Sequence, residues 1–271
     1  MDVKNELNKA RQNRYAIGAF NTSNLEVTKA IVCAAAKFDI PILIATTPSA
    51  IEYAGLKTIF DIVRDEIANS KIKAAIHLDH GKDFNQIKEA IEVGYKSVMF
   101  DGSKLSFDEN VHLTERLVEY AHRHDVCVEA EVGVIGHEEG GKVSGKSEKS
   151  APDQVKKFIE LTGVDSIAVS VGNEHGAPKG ESLDFKLLKS IADVIDIPLV
   201  LHGASGLKFH DLSEAIDVGV AKINIDTNIR HAFLHEIETS KEKNDYRVPF
   251  AEGMEEVEKV VSKYLEIFSN V

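Results

Sequence analysis

The sequence predicts a closed (β/α)8 barrel, a TIM barrel forming a single domain over residues 1–271, and three observations carry that expectation. Eight short apolar, β-rich runs recur with starts about 25–40 residues apart, the repeat of a strand–loop–helix unit. Between them lie segments whose apolar residues fall three and four apart, the mark of a helix with one buried face. Each run ends in polar residues, as strands do when their carboxyl ends meet at a shared site.

The first strand is expected over 16–21, ending in Asn21, with a helix over 25–38 behind it. The second run, 41–47, ends in Thr46-Thr47, and the third, 72–80, in His77-Leu78-Asp79-His80. Phe84, Ile87, Ala90 and Ile91 set a helix over 84–93, and the fourth run, 97–101, ends in Asp101. Val111, Leu113, Leu117, Val118 and Ala121 set a helix over 110–121, before a fifth run, 126–133, that carries Glu129-Ala130-Glu131. A helix over 154–161 precedes the sixth run, 166–173, which leads into Asn173-Glu174-His175. A helix over 185–192 precedes the seventh, 198–202, closing on His202, and the eighth, 221–226, carries Asn224 and Asp226.

Continuously apolar strands alternating with helices imply a parallel sheet covered on both faces. An open doubly wound sheet would carry a glycine-rich turn after its first strand; Phe20-Asn21-Thr22-Ser23 stands there instead. Residues from about 240 to 271 read as a helical extension, with Met254, Val257, Val260, Val261, Tyr264, Leu265 and Phe268 on one face of a helix over 254–268. The stretch 140–150 reads as flexible, and is short enough for an active-site loop.

Composition narrows the function. Lys and Arg number 32 against 44 Asp and Glu, a net charge of −12, so neither nucleic acid nor an anionic membrane is an expected partner. The absence of Trp and the 7% aromatic content argue against a base-stacking surface. No apolar run approaches the ~18 residues of a membrane span, and the charged start Met1-Asp2-Val3-Lys4 does not read as a secretory leader. Cys33 and Cys127 both lie in apolar stretches and are expected as buried thiols, which suits a reducing cytoplasm.

Turn chemistry favours Gly, Asn, Asp and Ser at strand ends, and three histidines on three of them are a different signal. In a barrel His80, His175 and His202 would converge with one coordination position open, the arrangement of a catalytic zinc. Asp101, Glu131 and Glu174 are candidates for supporting or additional metal contacts. His231 and His235, four apart on a helix, read as solvated. After the seventh and eighth runs, Gly203-Ala204-Ser205-Gly206 and Asp226-Thr227-Asn228 let backbone N–H groups approach an anion, against helix N-termini that favour negative charge.

These residues carry a family pattern. The chain resembles the class II, metal-dependent ketose-bisphosphate aldolases, which act on fructose and tagatose bisphosphates. The resemblance runs through Ala19-Phe20-Asn21, His77-Leu78-Asp79-His80-Gly81, Phe100-Asp101-Gly102-Ser103, Glu129-Ala130-Glu131-Val132-Gly133, Gly172-Asn173-Glu174-His175-Gly176, His202-Gly203-Ala204-Ser205-Gly206 and Asn224-Ile225-Asp226-Thr227. It implies zinc on His80, His175 and His202, with Asp79 as the acid/base at the hydroxyl of the bond being cleaved. It implies Glu139 as the group handling the enediolate proton, at the opening of the loop 140–150, which would act as a lid. Gly176, Gly203, Ser205, Asp226 and Thr227 match one phosphate site, associated with a monovalent cation, Na+ or K+. Asn21, Thr47 and Asn224 match substrate contacts, and Arg247 an arginine lent by a neighbouring subunit to the second phosphate. A dimer or tetramer is implied with it.

The expected reaction is cleavage of a ketose 1,6-bisphosphate into dihydroxyacetone phosphate and an aldehyde. Fructose bisphosphate leads, and Thr47-Pro48 keeps tagatose bisphosphate as the alternative, with other phosphorylated ketoses behind. A barrel metallohydrolase and a non-catalytic aldolase accessory subunit are the rival readings. The lysine Schiff-base strategy is set aside, because Lys73, Lys96 and Lys222 read as strand-start residues at the wrong end of the barrel.

Overall fold

The eight expected apolar runs form eight strands, each buried along most of its length. In chain order these are β1 (Ile17–Asn21), β2 (Ile42–Thr46), β3 (Ala74–Gly81), β4 (Ser97–Phe100), β5 (Cys127–Val132), β8 (Ser166–Val169), β10 (Leu199–Leu201) and β11 (Val220–Ile225). They close into a parallel barrel in the order β1-β11-β10-β8-β5-β4-β3-β2. This computed structural model describes residues 1–38, 40–139, 142–144, 147–176, 182–242 and 244–269, and of 137–139 and 142–144 the backbone alone.

Helices α2 (Leu25–Ala35), α3 (Pro48–Ala54), α4 (Leu56–Ser70), α5 (Phe84–Val93), α6 (Phe107–His122), α7 (Pro152–Thr162), α8 (Phe185–Ala192), α9 (Phe209–Val218) and α10 (Thr227–Thr239) pack outside the barrel. Their starts are set by local chemistry. Asn24 and Thr47 accept backbone N–H groups at the first turns of α2 and α3, Ser106 and Glu109 form a reciprocal capping box on α6, and Pro152 opens α7. Val27, Ile31, Ile59, Ile87, Leu117, Phe158, Leu188, Leu212 and Ile229 are the buried sides of these helices.

The two ends of the barrel differ. At the amino end an added helix, α1 (Val3–Asn13), capped by Asp2, lays Val3, Leu7 and Ala10 against Ile17, Leu43, Ala75, Cys127 and Ala221. That plug leaves only the carboxyl end open. The final helix, α11 (Arg247–Phe268), begins seven residues before the expected 254 and buries Val257, Val261, Tyr264, Leu265 and Phe268. Phe268 stacks on Phe20 and its carbonyl accepts from Ala16 N at 2.9 Å, which ties the chain's end to the first strand.

Three expectations change. The sixth barrel strand stops at Val169 rather than 173, because the chain leaves the barrel through Gly172, whose φ of +102° suits glycine. His175 therefore lies on its own short strand, β9 (Glu174–His175), beside β6 (Gly136–Glu139) and β7 (Lys142–Ser144) in a three-stranded sheet. Part of the stretch expected as flexible is thus paired: His137 with Ser144, and Val134 with Glu148. Residues 140, 141, 145 and 146 of that stretch lie outside the described residues. Finally, Cys127 is buried but Cys33 is exposed, since it sits on the solvent side of α2. Among the described residues no helix is long and apolar enough to cross a membrane.

Candidate active site

Period-two alternation sends every second strand residue into the barrel, and at the carboxyl end those residues reach a cavity of about 410 Å³. Asn21, Thr47, Asp79, His80, Asp101, Glu131, His175, Gly176, His202, Gly203, Ser205, Asn224, Asp226 and Thr227 all line it. Of the expected site residues, three do not line it, and Glu174 is one of them, standing on β9 beside His175. Arg247 stands at the start of α11 with its side chain 79% exposed, held by Asp245 at 2.7 Å, so a single chain does not bring it to the mouth. Glu139 ends β6, and its side chain lies outside the described residues.

His80, His175 and His202 offer ring nitrogens that all lie within 4.8 Å of one another. His80 Nε2 and His202 Nδ1 face each other at 3.1 Å. Two nitrogens bound at ~2.0–2.1 Å in a tetrahedral site stand about 3.3 Å apart, so this separation fits a shared ion. The nitrogens turned away are anchored on carboxylates: His80 Nδ1 on Asp101 at 3.2 Å, and His202 Nε2 on Glu129 at 2.8 Å. His80 reaches this position through its backbone. Its φ is +52°, and the β3–β4 register shifts between Leu78 and Gly81, a bulge that turns the imidazole inward. A second grouping, His80 with Asp101 and Glu131, also brings three donor atoms within 4.8 Å.

The electrostatics suit a cation. Burial works against charge on His80, yet Asp79 beside it and the bond to Asp101 draw its pKa up to about 9. Burial, reinforced by Asp101, pushes Glu131 up to about 8, and its Oε2 has no hydrogen-bond partner among the described residues. The cavity thus concentrates more negative charge than its own imidazoles balance, a field that a divalent ion relieves. Asp79 is 3% exposed, and its burial is outweighed by His80, His202 and Lys222, which hold it well below the usual carboxylate range. Its Oδ1 lies 3.8 Å from both His80 Nε2 and His202 Nδ1, so the carboxylate adjoins the imidazole cluster. Two amides hold the carboxylate: Asn21 Nδ2 donates to Oδ2 at 2.8 Å, and Asn224 Nδ2 to Oδ1 at 3.0 Å.

Beside the histidines is a backbone cradle. Gly203 has a φ of +64° and packs so closely on β9 that a Cβ there would meet the Glu174 carbonyl oxygen at 2.4 Å. The chain then makes a 3-10 turn over Ala204–Gly206, whose Ser205 carbonyl accepts from Asn228 Nδ2 at 3.0 Å. Thr227 opens the thirteen-residue helix α10 at the same wall, so the N–H groups of Thr227 and Asn228 and the helix dipole favour an anion.

Arg230, Lys82, Ser103 and Lys104 also line the cavity and were not among the expected residues. Arg230 was findable: it lies four residues after Asp226, one turn along a helix, and its Nε donates to Asp226 Oδ2 at 3.0 Å. His231 and His235 are exposed, as expected. The lysine reading is corrected for Lys222. It is the third residue of β11 and is fully buried, with Nζ 2.8 Å from Glu129. Lys73 and Lys96 do precede their strands.

A plugged (β/α)8 barrel with three imidazoles and an anion cradle at its open end defines a metal-dependent enzyme for phosphorylated substrates. The family model described as class-II fructose-bisphosphate aldolase matches residues 1–271. The fructose-bisphosphate aldolase of Geobacillus stearothermophilus is 40% identical over 237 residues, covering 86% of this chain and 83% of that protein. The YdjI aldolase of Escherichia coli K12 superposes with a TM-score of 0.89 at 29% identity, over 98% of this chain and 96% of its own. The fructose-bisphosphate aldolase of Campylobacter jejuni, at 24% identity, shares the fold with a TM-score of 0.84, over 99% of this chain and 94% of its own. The chain belongs to the class II fructose-bisphosphate aldolase family, and is a carbon–carbon lyase acting on a ketose bisphosphate.

Proposed function

We propose that the substrate is fructose 1,6-bisphosphate, cleaved reversibly to dihydroxyacetone phosphate and glyceraldehyde 3-phosphate, with one zinc ion on His80, His175 and His202. The observation that carries this reading is the position of Asp79, one carboxylate oxygen 3.8 Å from two of the three imidazoles and sealed from bulk water. Held there, the ion would supply Lewis-acid chemistry at the ketose carbonyl.

The chain supplies the remainder. Asp79 takes the proton from the C4 hydroxyl as the C3–C4 bond breaks, and Asn21 and Asn224 aim it. The electron pair of that bond passes into the enediolate of dihydroxyacetone phosphate. Glu139 then returns a proton to its carbon. Gly176, Gly203, Ser205, Asp226 and Thr227 hold the 1-phosphate, with Na+ or K+ beside it. Arg230, the one arginine among the described residues that line the cavity, offers planar donors to the phosphate of the aldehyde half. Arg247 serves a partner's site in a dimer or tetramer. Asp101 and Glu131 support His80 or take a second ion position. The two free thiols suit a cytoplasmic setting.

Tagatose bisphosphate is the second reading, favoured by Thr47-Pro48, which caps α3 at the cavity wall. The test is a coupled triose-phosphate assay over fructose, tagatose and other 1-phosphorylated ketoses, before and after chelation. Cleavage of the fructose compound at the highest kcat/KM, lost on chelation and restored by zinc or cobalt, is expected. Cleavage of none of them by the zinc-loaded protein refutes the reading and returns the metallohydrolase and accessory-subunit alternatives.

A further inference from the structure

One layer beneath the cavity the barrel interior is charged. A period of two places His77 below Asp79 on β3, Glu129 below Glu131 on β5, and Lys222 below Asn224 on β11. All three are sealed, with exposures of 0%, 1% and 0%. Glu129 Oε1 lies 2.8 Å from His202 Nε2, and its Oε2 lies 2.8 Å from Lys222 Nζ. Lys222 Nζ is also 3.3 Å from His77 Nε2, and His77 Nδ1 is 2.8 Å from Ser97 Oγ.

Donor arithmetic sets the direction of this chain. A carboxylate only accepts, so the proton on His202 sits at Nε2 and leaves Nδ1 bare. Nδ1 is the atom that faces His80 Nε2 across 3.1 Å. An ammonium only donates, so His77 Nε2 accepts and its Nδ1–H donates to Ser97. A stability role alone does not account for these residues. A buried ion pair is often no better than apolar side chains of the same volume, and elsewhere the barrel interior is filled by Met99, Ala168 and Val200.

We propose that Glu129, backed by Lys222, is a positioning pair for His202: it fixes the Nε2–H tautomer and the ring angle so that Nδ1 is presented to the metal. Neither residue lines the cavity, so neither touches substrate. The proposal rests on the metal reading of His80, His175 and His202, and the experiment separates the two.

Zinc affinity is measured by competition with a chromogenic chelator, alongside thermal unfolding of the stripped proteins. His202→Ala is the yardstick: unchanged affinity there overturns the metal reading itself. The double variant Glu129→Leu/Lys222→Met removes the acceptor and both charges while keeping volume, and is expected to lose about 10–100-fold in zinc affinity. Glu129→Gln/Lys222→Met keeps an acceptor oxygen for His202 without setting an amide against an ammonium, and should recover most of that loss. If the apolar pair binds zinc as tightly as the parent while His202→Ala does not, the positioning role is overturned. Should the apolar pair not fold, nitrogen-15 spectra of histidine-labelled, zinc-loaded parent decide the matter. The proposal requires the proton of His202 on Nε2 and the metal on Nδ1, and the opposite tautomer overturns it.

Discussion

Replacing Asp79 by Asn separates proton transfer from architecture. In the parent, Asn21 Nδ2 and Asn224 Nδ2 both donate to the Asp79 carboxylate, at 2.8 and 3.0 Å. An amide at position 79 would turn an NH2 toward one of these donors, and a buried polar group left unpaired costs about 1–3 kcal/mol. The neighbours can relieve it. Asn21 Oδ1 and Asn224 Oδ1 are buried without a hydrogen-bond partner among the described residues, so flipping one amide supplies an acceptor. His80, His175 and His202 make up a three-donor set without Asp79, whose Oδ1 stands 3.8 Å from two of the ring nitrogens. Asp79→Asn should therefore fold and retain zinc. It cannot take the hydroxyl proton, and loss of a positioned general base lowers rate by about 10²–10⁴-fold, or roughly 2.7–5.5 kcal/mol of barrier. The assay is coupled cleavage, with zinc content measured on the same samples. A second readout is exchange of the hydroxymethyl proton of dihydroxyacetone phosphate with deuterated water, which does not need Asp79 and should survive. Cleavage within tenfold of the parent at equal zinc content would refute the assignment of the base.

Other consequences follow from single residues. Gly203→Ala places a Cβ 2.4 Å from the Glu174 carbonyl oxygen in a left-handed conformation that alone costs about 1–2 kcal/mol. A lowered urea midpoint and a raised KM are expected, and unchanged values would show that the cradle does not hold substrate. Chelation should abolish cleavage, with zinc or cobalt restoring it; full activity in demonstrably stripped protein would exclude the metal route. Burial raises the Tyr95 hydroxyl to about 12, partly offset by its 2.9 Å contact with Thr46 Oγ1. The unfolded chain ionises near 10, so the stabilisation from this group is complete below that pH and is lost as pH rises toward 12. Tyr95→Phe should reduce the fall of the urea midpoint between pH 10 and 12, and a slope equal to the parent's would contradict the sign.

Much of the site was legible because strand periodicity is strict. Asp79, Glu131 and Asn224 stand at carboxyl ends of apolar runs, and closure of a parallel barrel must bring such ends together. The same rule, extended two residues back, points inward at His77, Glu129 and Lys222, so their place in the interior was readable although their bonding was not. Arg230 was signalled by its helical spacing from Asp226. Cys33 was misplaced because α2 has apolar residues on most sides, and an apolar neighbourhood in sequence does not say which side meets solvent.

Local pattern alone determined the barrel, the order of its strands along the chain, and which residue types would crowd its open end, because hydrophobic periodicity and turn chemistry act over a few residues. Three things were decided only by the folded whole. The bulge at His80 puts a residue other than glycine at positive φ, one place before Gly81. His175 leaves the barrel for a three-stranded sheet through a pairing with the strand of Glu139. The link from Lys222 through Glu129 to His202 joins residues 73 and 93 positions apart. Such contacts depend on where strands remote in sequence lie side by side, and no local interaction encodes that distance.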